Sequence, residues 1–218
     1  LIRQVKICGL STPETVQAAV DGGAAFLGLN FFQRSPRYVS PDTAARLAAL
    51  ARRDGPRKPP SIVAITVDAD DAEIDRIVAA LNPDFVQLHG KETPARAQAI
   101  SARTGVRLIR ALAVSEQSDI EAAARWDGVV EHLLFDARPP AGSALPGGTG
   151  ARFDWTLLAG RRFRRPHFLA GGLNPWNVGE ALRLSGAPLA DVSSGVERGP
   201  GIKDGPLITA FLDAVRSL

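Results

Sequence analysis

A chain of 218 residues, 45% apolar and 22% charged, has the balance of a soluble globular protein and enough length for one large core. Its single cysteine excludes an internal disulfide, and with only three histidines there is no Cys/His cluster of the kind that holds zinc, so no metal is expected. The formal net charge is +3, no apolar run approaches the roughly 18 residues of a membrane span, no secretory leader pattern opens the chain, and the arginines are scattered along helical segments; together these point away from membrane and nucleic acid, toward a cytoplasmic protein with room for an anionic metabolite.

A short β-rich run followed by an amphipathic helical run recurs along the chain, with Gly, Pro or Asn at the joins. The spacing predicts strands over residues 5–8, 26–31, 61–67, 85–88, 107–113, 133–136, 167–170 and 189–192. Helices are predicted to open near Pro13, Pro41, Asp71, Pro94, Ser118, Asp154, Pro175 and Gly205. Proline just inside a helix start is well placed, because its missing N–H would have had no partner there. Eight such units without a shift in composition predict an α/β fold, a single (βα)8 TIM barrel over residues 1–218. The least regular connections are 31–40 after the second strand and 137–152 after the sixth, and long loops at that end of a barrel are where binding residues are expected.

Alternation along a strand separates side chains facing the barrel interior from those facing the helices. Val5 and Ile7 share one parity and Lys6 and Cys8 the other; Val86 and Leu88 oppose Gln87 and His89; Leu134 and Asp136 share a parity. If the apolar parity faces the helices, Cys8, Gln87, His89 and Asp136 line the interior near the C-terminal mouth, where barrels carry their active sites. Gln87 and His89 are thereby candidate substrate-binding residues.

Gly171-Gly172-Leu173 follows the seventh strand and Ser193-Ser194-Gly195 the eighth. Either alone reads equally as a turn, but together they occupy the two loops from which barrels build a phosphate site out of backbone N–H groups. Gly147-Gly148-Thr149-Gly150 in the sixth loop could close over the same ligand or serve as a plain linker. A lone cysteine on a strand is often a small buried hydrophobe, though Cys8 ends its strand beside Gly9 at the mouth. Asp136 is a cap or ion-pair partner, or an acid held in the site. Arg37 sits in the irregular second loop, where arginines commonly meet solvent, yet its planar fork suits a carboxylate.

The segments VKICGL (5–10), RSPRYVS (34–40), VQLHG (86–90), LLFDAR (133–138), LAGGLNPWNV (169–178), DVSSGVE (191–197) and PGIKD (200–204) run from the first strand to the last helix. In that order they resemble the phosphoribosylanthranilate isomerase family of tryptophan biosynthesis. The resemblance implies an Amadori rearrangement of N-(5-phosphoribosyl)anthranilate with no cofactor. It implies Cys8 as base, Asp136 as acid and Arg37 on the anthranilate carboxylate. Gly172, Ser194 and Gly195 would hold the phosphate, with Gly148 and Gly150 contributing, and other enzymes of the pathway become candidate partners. Arg138 departs from the lysine often found there. The rival readings are a histidine-pathway isomerase, a Schiff-base aldolase using Lys6, and a non-catalytic phosphosugar sensor.

Overall fold

The computed structural model describes residues 3–53, 59–143 and 145–218. Eight parallel strands close into a barrel in sequence order: β1 (Gln4–Cys8), β2 (Phe26–Asn30), β3 (Ser61–Thr66), β4 (Phe85–Leu88), β5 (Arg107–Val114), β6 (His132–Ala137), β7 (His167–Leu169) and β8 (Leu189–Val192). Each matches an expected run to within one residue at either end.

The α-helices are α1 (Pro13–Asp21), α2 (Pro41–Arg53), α3 (Asp71–Leu81), α4 (Pro94–Thr104), α5 (Gln117–Glu121), α6 (Val178–Ser185) and α7 (Gly205–Arg216). Their starts follow from local chemistry. Thr12, Asp70, Thr93 and Asp204 accept hydrogen bonds from the backbone N–H three residues on, and proline occupies the first turn of α1, α4 and α7.

Two expected helices differ. The segment after Asp154 makes only a 3-10 turn, Trp155–Leu158, because Gly160 at φ +69° ends it after barely one turn. Helix α6 opens at Val178 instead of near Pro175. Asn174 accepts from Trp176 N–H (3.0 Å) and Asn177 accepts from Asn174 N–H (2.8 Å), which holds that stretch as a turn. A short antiparallel hairpin, β9 (Glu197–Gly199) and β10 (Ile202–Lys203), follows β8 and was not expected.

Two apolar layers follow the parity. Val5, Ile7, Val86, Leu88, Leu133 and Phe135 pack outward against the helices. Phe26, Val63, Phe85, Ile109, Leu134 and Phe168 fill the barrel interior. Phe26, Phe85 and Leu189 begin their strands, so the apolar filling sits toward the N-terminal end and the polar residues of the same parity lie above it. No helix among the described residues is long and apolar enough to cross a membrane.

One local cluster breaks the scatter of basic residues, Arg161, Arg162, Arg164 and Arg165 around Phe163. The ring of Phe163 packs on Phe135 (5.0 Å between centroids) and His167 (4.7 Å), so it is not presented as a stacking platform for a base.

Candidate active site

Cys8 ends β1 facing the interior and opens on the mouth cavity. Below it on the same face, Lys6 is fully buried and its Nζ donates to Asp191 Oδ1 at 2.9 Å, Asp191 being its register partner on β8. Burial pushes the Cys8 thiol up; Lys6, then Lys203 and Arg37, oppose that and Asp191 reinforces it. Lys6 stays charged: burial acts against its ammonium, but Asp191 and Cys8 outweigh it and the pKa is raised. A Schiff-base aldolase needs a free amine open to its substrate, whereas Lys6 is fully buried and bound to Asp191, which speaks against that reading.

Arg37 does not meet solvent. It is 5% exposed, and its Nε and Nη2 grip Glu197 Oε1 and Oε2 at 2.7 and 2.9 Å. Lys203 Nζ donates to the same carboxylate at 2.6 Å and to Ser193 O at 2.8 Å; Ser193 Oγ in turn donates to the carbonyl of Cys8 at 3.2 Å. Burial works against the Glu197 carboxylate, but Arg37 and Lys203 hold it below the usual range. The hairpin β9–β10 thus brings Glu197 and Lys203 together against Arg37. Neither Glu197 nor Lys203 was assigned a role from the sequence.

Asp136 ends the interior face of β6 at 8% exposure, its Oδ1 accepting from Ala137 N–H at 2.9 Å. Its Oδ2 lies 3.5 Å from His89 Nε2. Gln87 is wholly buried and its Nε2 donates to His89 Nδ1 at 3.0 Å, so it supports the imidazole. Its Oε1 has no partner among the described residues. With this amide orientation the ring proton sits on Nε2 and points at Asp136; the reverse orientation makes Nε2 an acceptor for a protonated Asp136. The backbone around His89 is fixed from outside the barrel. Glu92 accepts from Asp68 N–H and Gly90 N–H, both at 2.9 Å, and from Arg110 Nη1 at 2.5 Å.

The glycine loops converge on the same cavity. Gly148, Gly150, Gly172 and Ser194 line it, with Gly195 one residue beyond. Gly172 has φ +62°, a region that favours glycine, and Asn177 Nδ2 donates to its carbonyl at 2.9 Å. A side chain on Gly195 would collide with the carbonyl of Leu173. The sixth loop lies inward. A Cβ on Gly147 would stand 2.5 Å from Asp136 Oδ2 and 2.7 Å from His89 Nε2, and Gly148 O accepts from Arg37 Nη2 at 3.2 Å. Arg138, by contrast, turns to the rim, donating to Ser115 Oγ at 2.9 Å and Asp119 Oδ1 at 2.6 Å.

With one end of the barrel plugged by apolar side chains and its reactive groups collected at the other, this is a barrel enzyme. The family model described as N-(5'phosphoribosyl)anthranilate (PRA) isomerase matches residues 5–214. The chain is 65% identical over 211 residues to the N-(5'-phosphoribosyl)anthranilate isomerase of Caulobacter vibrioides, covering 97% of this chain and 94% of that one. It is 62% identical over 213 residues to that of Caulobacter sp. strain K31, covering 98% of each. The phosphoribosyl anthranilate isomerase of Thermotoga maritima superposes with a TM-score of 0.86 at 33% identity over 99% of this chain and 100% of that one. A phosphoribosyl anthranilate isomerase in complex with reduced 1-(o-carboxyphenylamino)-1-deoxyribulose 5-phosphate gives 0.83 at 32% identity over the same shares. The chain belongs to the N-(5'-phosphoribosyl)anthranilate isomerase family.

Proposed function

We propose that the chain converts N-(5-phosphoribosyl)anthranilate to 1-(2-carboxyphenylamino)-1-deoxyribulose 5-phosphate by an Amadori rearrangement, as a cytoplasmic step of tryptophan biosynthesis. The observation that carries this reading is that Cys8 and Asp136 open on one cavity from β1 and β6, with β7 and β8 between them on the shorter side. The phosphate loops follow those two intervening strands, so a sugar anchored there presents its two faces to the two groups.

Asp136 in its acid form delivers a proton to the ring oxygen; the C1–O bond breaks and a C1=N cation forms. The Cys8 thiolate removes the C2 proton and leaves an enolamine; its C2 hydroxyl loses a proton as C1 gains one, giving the ketone, and the proton taken by Cys8 makes good the one Asp136 gave up. Protons only change places within the reaction, so no redox partner enters the balance. Backbone N–H groups of Gly172, Ser194 and Gly195, with Gly148 and Gly150, take the phosphate. His89 steadies Asp136. Arg37 receives the anthranilate carboxylate on its Nη1 edge, because its Nε and Nη2 edge is held by Glu197.

The test is turnover of freshly prepared N-(5-phosphoribosyl)anthranilate, with inorganic phosphate as a competitive inhibitor. Absent turnover sinks the activity, and purely non-competitive inhibition sinks the phosphate assignment. Arg37→Ala is expected to weaken binding of the full product by roughly 1.5 to 3 kcal/mol, the scale of a hydrogen bond to a charged group. Binding of a product analogue without the carboxylate should change far less, and an equal loss for both removes Arg37 from that role.

A further inference from the structure

We propose that Lys6 is a positioning residue for the reaction: its ammonium, fixed by Asp191, makes a thiolate of Cys8, so that the base is a Cys8–Lys6–Asp191 unit. This rests on Cys8 being the base.

The geometry is built into the strands. Lys6 and Cys8 stand two residues apart on the interior face of β1, and Asp191 faces Lys6 across the β1–β8 ladder. The side chain of Lys6 climbs toward the mouth through space left by Gly28, the register partner of Cys8; a Cβ there would lie 3.1 Å from Cys8 Cα and 3.3 Å from Lys6 Cε. From that position the ammonium donates to Asp191 Oδ1 at 2.9 Å and acts on the Cys8 thiol electrostatically.

Packing does not call for this arrangement. The rest of the interior is filled by Phe26, Val63, Ile109 and Phe168, and a buried ion pair is often no more stabilising than apolar residues of the same volume. The charges facing Cys8 are Lys6 on β1, Asp191 on β8, Lys203 on β10 and Arg37 after β2, with Glu197 on β9 held between the last two. Three cations stand against two carboxylates, and a thiolate neutralises the surplus. Burial, with Asp191 behind it, raises the pKa of the sulfur, and Lys6 is the largest influence against that rise. Ionisation releases the thiol proton to water at the open mouth, and the S–H electron pair stays on sulfur beside the ammonium.

The experiment is alkylation of Cys8 by iodoacetamide as a function of pH, in wild type, Lys6→Met and Gly28→Ala, with thermal unfolding measured alongside. Lys6→Met is expected to move the alkylation midpoint up by at least one pH unit, a tenfold loss of thiolate at a given pH, and to move the acid limb of the kcat profile with it. Gly28→Ala keeps every charge but presses on Ile65 Cδ1, Cys8 Cα and Lys6 Cε together, and should shift the midpoint the same way by less. A merely structural Lys6 would lower the unfolding temperature and leave the alkylation pH where it was; that result overturns the proposal. If Lys6→Met does not fold, an unshifted Gly28→Ala overturns it equally. Turnover of Cys8→Ala reports on the base assignment alone, whereas alkylation of the native sulfur reports on Lys6 whatever that turnover is.

Discussion

Cys8→Ala and Asp136→Asn are each expected to lower turnover by at least about 100-fold while leaving product-analogue binding near its wild-type value. The two groups sit at the ends of β1 and β6 on the interior parity, and neither anchors a phosphate loop. Removing the thiol deletes a base without touching the loops after β7 and β8. Replacing the Asp136 carboxyl by an amide keeps its shape, and keeps an oxygen to accept from Ala137 N–H, but cannot deliver a proton to the ring oxygen. Because a proton donor and a proton acceptor act on successive bonds of one substrate, the double variant should be little slower than the slower single one, not the product of both losses. An alkylating reagent should inactivate the wild type, with bound product protecting it. Near wild-type turnover in Cys8→Ala would show the cysteine to be a packing residue and end the mechanism.

His167 carries the second large effect, on stability. Its side chain packs among Phe135 and Phe163 at 8% exposure, its Nε2 has no partner among the described residues, and burial drives its pKa down from 6.5 to about 4. The folded state therefore resists a proton that the unfolded chain accepts. Above the unfolded value both states are neutral and the residue has no pH effect; as pH falls from about 6.5 toward 4, the unfolded state gains the proton first and stability declines. Over that window the loss is about 3 kcal/mol at 1.36 kcal/mol per pKa unit. His132, also pushed down by burial, acts in the same direction. Denaturant titrations at pH 7 and pH 4 should show His167→Leu losing markedly less stability than wild type. Parallel losses in the two proteins would mean that His167 titrates normally.

The barrel was legible because its evidence is local. A strand of four to eight residues, a proline or a capping side chain, and a glycine at the join each leave their mark within a few positions. Alternation then placed Cys8, Gln87, His89 and Asp136 inside the barrel, and the structure puts them there. Alternation could not separate a residue that opens on the cavity, as His89 does, from one wholly buried on the same face, as Gln87 is. The partners of Arg37 and Lys6 were not legible either: Glu197 lies 160 positions from Arg37 and Asp191 lies 185 from Lys6. Such pairs are set by barrel closure and have no sequence spacing to betray them. The hairpin of β9 and β10, with a strand of only two residues, is below the length at which a pattern exists.

Gly147 and Gly148 occupy, with backbone alone, the space between Asp136, His89 and Arg37. The sixth loop is in that sense a ligand tethered to its own receptor, and an incoming molecule that reaches those three side chains competes with it. Measured affinity is then the intrinsic affinity reduced by the fraction of molecules in which the loop stands aside. Substitutions that disfavour the inward loop free those three side chains and, in the same movement, withdraw the Gly148 and Gly150 N–H groups from the phosphate. A small anion held by Gly172, Ser194 and Gly195 does not meet Gly147, so the affinity of a whole substrate falls short of what its fragments would suggest when measured separately.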